Sequence, residues 1–125
     1  MVLATVTEDG KPWVRYVTPM ADENLTLWMA TFIRSRKVAQ IRKNSEVHLT
    51  LGVTTMETAE SYLQIQGRAE ILTDEKTKKT VWLDQLKAIF SGPDDPNYVV
   101  CRITPYRIEY QKMAPGAPPE VWEAG

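Results

Sequence analysis

A single cysteine, Cys101, and a single histidine, His48, are all that this 125-residue chain offers to thiol and imidazole chemistry. One cysteine forbids an internal disulfide and any cysteine-cluster metal site, and no His, Asp or Glu grouping has metal-ligand spacing. Cys101 stands in the apolar run from Tyr98 to Ile103, where a buried and inert thiol is expected. His48 has no partner motif, so a solvent-facing or hydrogen-bonded structural histidine is expected rather than a proton donor. The G-x-S-x-G elbow of serine hydrolases is missing too. Charge of one sign is equally scarce: 15 Lys and Arg against 16 Asp and Glu leave −1, so no overall basic field attracts nucleic acid. No apolar run is long enough to cross a bilayer, and the first residues lack the charged-then-apolar pattern of a secretion signal. A cytoplasmic protein with no membrane partner is expected. Hydrophobic residues make up 43% of the chain, which supports one domain with a real core.

Basic charge is concentrated instead of abundant. Arg34, Arg36, Lys37, Arg42 and Lys43 fall within ten positions, a cluster that suits one small phosphate better than a long polyanion. The segment from Leu27 to Asn44 runs an alternating strand into Ser35-Arg36-Lys37 and then into a short helix. The first amides of a helix have no intrahelical acceptor and sit at the positive end of its dipole, so an anion placed there satisfies both. Ser35 can cap and donate, Arg36 can bind two oxygens as a fork, and Lys37 adds a point charge. Taken alone, the segment fits a capped surface helix with solvated basic residues equally well. Arg42 and Lys43 are assigned to the helix C-terminus, where they complement its dipole.

The rest of the pattern is strands punctuated by turns. Val2 to Thr7, the Glu8-Asp9-Gly10 turn and Pro12 to Val17 read as a hairpin. After a turn at Ala21-Asp22-Glu23-Asn24, Leu25, Leu27 and Met29 alternate with Thr26, Trp28 and Ala30. Val47, Leu49, Leu51 and Val53 mark the strand after the helix, and Ser61 to about Leu72 is a long one. Thr73-Asp74-Glu75 opens a second helix whose stripe is Val81, Trp82, Leu86, Ile89 and Phe90, stopped by Gly92-Pro93. Two strands, Tyr98 to Thr104 and Tyr106 to Lys112, finish the sheet with Pro105 at the bend between them. Six or more short antiparallel strands with two short helices predict a mainly β protein, a closed or nearly closed barrel. The barrel domain covers residues 1–112, and residues 113–125 form a proline-rich tail in which Ala114 to Pro119 can hold no regular element. Trp122, beyond that stretch, is expected either to dock on the body or a partner or to end disordered.

Four motifs in order carry a family resemblance. They are Trp13-Val14-Arg15-Tyr16-Val17; Thr31 followed by Ser35-Arg36-Lys37, Gln40-Ile41 and Asn44; Gln66-Gly67-Arg68-Ala69-Glu70; and Cys101-Arg102-Ile103-Thr104-Pro105 running to Glu109-Tyr110. Together they resemble the pyridoxamine 5′-phosphate oxidase family, and within it the small general-stress branch. The resemblance implies an antiparallel split β-barrel that binds FMN, as a homodimer with the flavin at the interface. It also implies roles. Arg15, Ser35, Arg36 and Lys37 would hold the phosphate, with Thr31 bonding at the same end, while Arg15, Tyr16, Val17 and Thr18 would line the ring edge. Gln64 would replace the family glutamine, which itself falls near Tyr62, and Tyr98 would keep an aromatic contact in place of a family tryptophan.

Departures from the oxidase pattern limit the activity that the resemblance implies. Met20 stands where the oxidases carry a lysine, Ala30 where they commonly have tyrosine, and their substrate-phosphate segment and C-terminal Arg-Leu-His motif are missing. Pyridoxamine-phosphate oxidase activity itself is therefore not expected, and no catalytic residue is nominated. The resemblance implies an FMN-dependent oxidoreductase acting on an unidentified small substrate. Two alternatives stay open: a flavin-binding stress protein without turnover, and a deazaflavin-dependent reductase, for which Arg34 and Arg68 are the extra cations.

Overall fold

The structure is a computed structural model describing residues 1–125. Its eight strands are β1 (Val2–Val6), β2 (Pro12–Tyr16), β3 (Met20–Ala21), β4 (Leu27–Phe32), β5 (Glu46–Leu51), β6 (Ser61–Leu72), β7 (Tyr98–Lys112) and β8 (Glu120–Glu123). Two helices, α1 (Arg36–Lys43) and α2 (Glu75–Val81), interrupt them. Every pairing is antiparallel, in the order β2-β1-β5-β6-β7-β4-β3, with β8 added to the outer half of β7. The two sheet edges, β2 and β3, are consecutive in the chain and separated only by Val17, Thr18 and Pro19. So short a link brings the edges together and curls the sheet into a barrel with one unpaired seam. This is the mainly β split-barrel architecture expected.

The hairpin forms as read, with Val2 opposite Tyr16 and Val6 opposite Pro12. Its turn is tied by Thr7, whose hydroxyl donates to Asp9 Oδ1 at 2.5 Å and accepts from the Lys11 amide at 3.0 Å. Alternation along the strands sends Leu3, Leu27, Met29, Val47, Leu49, Ile65, Cys101 and Ile103 into one core, which α1 closes with Ile41. The inner half of β7 is buried on both faces, because a second cluster of Phe90, Tyr98 and Val100 packs on the opposite side with Trp28, Val81, Trp82 and Leu86. Each fully buried side chain of this size contributes roughly 1.5–3 kcal/mol, enough for the small cluster to hold residues 75–90 against the sheet.

Four expectations change. Instead of one helix running to Phe90, α2 stops at Val81, Trp82 is extended, and a 3-10 turn over Asp84–Ala88 follows. The cause is Tyr98, which Trp82 meets at 5.4 Å and Phe90 at 5.2 Å between ring centroids. Breaking the helix lets both rings reach it and leaves Ile89 exposed. The last two strands are one 15-residue strand, with a register shift between Gln66 and Gly67. Gly67 faces Pro105 and Gln66 faces Arg107, so Tyr106 is the extra residue of a bulge, where a proline without an amide hydrogen is tolerated. A Cβ on Gly67 would stand 3.0 Å from both Thr104 O and Ile103 Cγ2, so any larger residue would crowd the bulge and force its neighbours to shift.

Before β4, the Asp22 carboxylate accepts from the amides of Asn24 and Thr26 and from Trp28 Nε1. Leu25 therefore sits in a turn at φ 66° instead of opening the strand. Residues 114–119 hold no regular element, as read, but the tail beyond them does: β8 pairs Trp122 with Ile108 and Glu123 with Arg107. The backbone of Trp122 is thus held on the body of its own chain, with the residue 41% exposed.

Candidate functional site

Helix α1 starts at the seam without a side-chain cap. Ser35 occupies the N-cap position in extended backbone, yet its Oγ bonds none of the helix amides and lies 3.3 Å from Thr31 Oγ1. The expectation that Ser35 caps is thereby corrected. The β4 strand buries Thr31, and pairing of the two hydroxyls turns Ser35 away from its own helix. Val38 N–H bonds back to Ser35 O at 3.1 Å, and the amides of Arg36 and Lys37 are left without an acceptor at the positive end of the dipole.

Around that terminus the structure gathers cations and no anions. Arg36 is exposed, with its guanidinium 5.1 Å from the centre of the Trp13 ring. Lys37 is half-buried, and burial together with the nearby Arg15 charge pulls its ammonium below the ordinary lysine value. Burial and Arg36 lower Arg15 in the same way. None of Arg15, Arg34, Arg36 or Lys37 has a carboxylate within 4.0 Å. Like charges confined together without counter-ions favour a bound anion.

Arg15 is held from behind. Its Nη1 donates to Thr5 Oγ1 at 2.7 Å and Trp13 O at 3.2 Å, and its Nη2 to Gln40 Oε1 at 3.0 Å. Sequence reading places Gln40 in the motif with Ser35-Arg36-Lys37 but gives it no role, and it does not single out Thr5. Gln40 falls four residues after Arg36, on one helix face.

Beside the cations lies an open cavity of about 200 Å3. One wall is Tyr16, Val17 and Thr18, from the end of β2 and the link to β3; the other is Met29, Ala30, Thr31 and Phe32 of β4. Ile89 and Phe90 form the rim, and Lys37 stands at the polar end with Thr31. Of the ten lining residues seven are hydrophobic, so the site suits a flat apolar group carrying a phosphate at one end. Sequence reading missed Met29, Ala30, Phe32, Ile89 and Phe90 as walls, since only the seam brings them opposite Tyr16.

The structure thus brings Arg15, Tyr16, Val17, Thr18, Thr31, Ser35, Arg36 and Lys37 to one end of the seam. It does not bring the other two candidates there. Tyr98 is fully buried, and its hydroxyl donates to Lys78 O at 2.8 Å, so it packs in the core and does not line the cavity. Gln64 lies in a separate polar hollow of about 170 Å3 with His48, Gln66, Arg107 and Glu109. Cys101 is buried as expected, and burial, opposed by Lys37, pushes its thiol up to about 12. No three His, Cys, Asp or Glu side chains converge as a metal would need, and no helix is long and apolar enough to cross a membrane.

A family model described as pyridoxamine 5′-phosphate oxidase matches residues 1–112. General stress protein 26 of Bacillus subtilis is 34% identical over 116 residues, covering 93% of this chain and 81% of that protein. The chain belongs to the pyridoxamine 5′-phosphate oxidase family. Among solved structures, general stress protein 26 of Bacillus anthracis superposes with a TM-score of 0.78 at 32% identity, covering 98% of this chain and 87% of the other. A general stress protein 26 relative from Clostridium acetobutylicum, at 23% identity, has the same fold with a TM-score of 0.80 and coverage of 98% and 83%. Within the pyridoxamine 5′-phosphate oxidase family, this chain pairs the seam and the cation cluster with an uncharged, exposed Met20 on β3.

Proposed function

We propose that the protein binds FMN at the seam and acts as a flavin-dependent oxidoreductase on a small substrate. The observation that carries the reading is a set of three neighbouring cations without counter-ions, Arg15, Arg36 and Lys37, of which Lys37 lines a largely apolar cavity. Arg15, Arg36, Lys37 and the Ser35 hydroxyl would hold the phosphate, with Thr31 beside them. Tyr16, Val17 and Thr18 would line the ring edge. When bound, the flavin supplies the redox chemistry itself. The chain's own contribution is to fix the phosphate, orient the ring between the β2 link and β4, and keep water from the apolar walls.

A homodimer is part of the same proposal. Trp13, Val14, Tyr16 and Met20 all expose large apolar side chains beside the seam, and a second copy laid there would cover them. Gln64, which does not face the cavity of its own chain, would serve the flavin of the other subunit. We also place the protein in the cytoplasm. A flavin carrier without turnover is the second reading, favoured by the absence of a charged group on the apolar walls that would bind a substrate. Of the two extra cations of the deazaflavin alternative, Arg68 is engaged, 3.1 Å from Glu46 and stacked 4.8 Å from the Tyr106 ring centre, while Arg34 has no carboxylate partner.

The test is an absorption spectrum of protein incubated with FMN and desalted, followed by anaerobic NADH or NADPH. Retained flavin bands that bleach support the oxidoreductase. Bands that persist without bleaching with either donor favour the carrier, and loss of all flavin removes FMN as a tight ligand.

A further inference from the structure

We infer that Gln40, acting with Thr5, is the positioning residue for Arg15: their neutral oxygens aim its guanidinium at the anion site without cancelling its charge. The inference rests on the flavin-phosphate reading and assigns what makes that site competent before a ligand arrives.

Each acceptor bonded to the guanidinium is neutral. Nη1 is bonded to Thr5 Oγ1 at 2.7 Å, to Trp13 O at 3.2 Å and weakly to Leu3 O at 3.4 Å, and Nη2 to Gln40 Oε1 at 3.0 Å. The Thr5 hydroxyl, 1% exposed, donates to the same Gln40 oxygen at 2.5 Å, closing a three-residue ring of hydrogen bonds. A guanidinium has no acceptor, so the amide oxygen of Gln40 must face it, and chemistry alone sets the orientation of the amide. A carboxylate in that place would hold Arg15 more strongly but would pair its charge and leave less for a phosphate.

The arrangement also sets distance. Gln40 lies one turn beyond Arg36 on α1, while Arg15 lies on β2, so the Nη2 bond ties the helix carrying two of the cations to the strand carrying the third. Arg15 feels the repulsion of Arg36, and without Gln40 and Thr5 a long flexible side chain among like charges would swing toward solvent. Held in place, it meets the anion with little ordering left to do.

The test compares FMN with riboflavin, which carries the ring without the phosphate, by flavin-fluorescence titration of the full-length apo protein. Gln40→Met should weaken FMN about tenfold, equivalent to ~1.4 kcal/mol, and leave riboflavin affinity unchanged. Gln40→Glu, nearly the same shape, should weaken FMN at least as much, and it carries the comparison should Gln40→Met not fold. Thr5→Ser should retain binding where Thr5→Val loses it. Adding Gln40→Met to Arg15→Ala should cost nothing further, since both act through one group.

The inference is overturned, with the phosphate site intact, if Arg15→Ala loses FMN while the Gln40 variants bind it normally. It is overturned equally if Gln40→Met weakens FMN and riboflavin alike, because that marks a role in the fold only. If wild type and Arg15→Ala bind FMN and riboflavin indistinguishably, the phosphate reading falls and takes this inference with it.

Discussion

Ser35 Oγ and Thr31 Oγ1 lie 3.3 Å apart, so the residue at the N-cap of α1 faces the preceding strand and leaves its helix uncapped. An ordinary capping serine is worth about 1 kcal/mol of stability when compared with alanine. Here Ser35→Ala should change apo-protein stability by less than about 0.5 kcal/mol, because there is no cap bond to lose. FMN affinity should fall nonetheless. Urea unfolding and FMN titration of the same variant check both halves, and a full-sized loss of stability with unchanged affinity would show that the hydroxyl caps after all.

Removing two cations together tests the phosphate end. Arg36→Ala combined with Lys37→Ala should weaken FMN by roughly a hundredfold or more, since each charge-assisted bond is worth ~1.5–3 kcal/mol. Neither side chain pairs with a carboxylate, so no buried acid is orphaned by the change. Unchanged affinity in titration would remove the phosphate assignment.

Tyr98 separates core from site. Tyr98→Phe keeps the ring between Trp82 and Phe90 but leaves the buried Lys78 carbonyl without its donor. The expected loss is about 1–2 kcal/mol in urea unfolding, with FMN affinity within about twofold of wild type. A large affinity loss at unchanged stability would return Tyr98 to the binding site.

The Cys101 thiol gives the chain an alkaline limit. In the unfolded chain it ionises near 9.0, whereas burial, opposed by Lys37, holds the proton in the folded state until about 12. A group raised in this way contributes stability fully below its unfolded value and loses it as pH rises through that window. Urea midpoints of wild type and Cys101→Ala should therefore converge between neutral pH and about pH 10–11, the wild type losing more. A gap independent of pH would mean that the folded thiol titrates normally.

Gly52 and Gly92 differ in what they allow. Gly52 has φ +114°, and a Cβ there would stand 2.8 Å from Ser61 O and 3.1 Å from Tyr62 Cα, both backbone atoms of β6. Gly52→Ala should cost about 2–4 kcal/mol in urea unfolding, from backbone strain and overpacking together. Gly92→Ala, which meets nothing within 4 Å, should be close to neutral and serves as the control.

Local patterns made much of this protein legible. Alternation identified the strands around Leu3, Leu49 and Ile65, because a sheet with one buried face must alternate. The Glu8-Asp9-Gly10 turn located the first hairpin, and Ser35-Arg36-Lys37 after an alternating strand marked a helix start rich in charge. These features depend on neighbours within a few residues, so the linear order of side chains determines them.

The remainder depended on contacts between distant segments. Trp82 and Phe90 lie eight residues apart on what reads as one helical stripe, and only the presence of Tyr98 between them breaks the helix. Tyr98 is buried rather than at the site because α2 and the 3-10 turn cover that end of β7, which no local pattern announces. Gln64 shares a face with His48 and Arg107 because strand register puts it there, away from Lys37. The sequence by itself determined a mainly β chain with a helix start rich in positive charge. Closure of the barrel decided the site, since the seam alone sets Tyr16 opposite Phe32, and the bond from Arg15 to Gln40 joins strand to helix across 25 residues of chain.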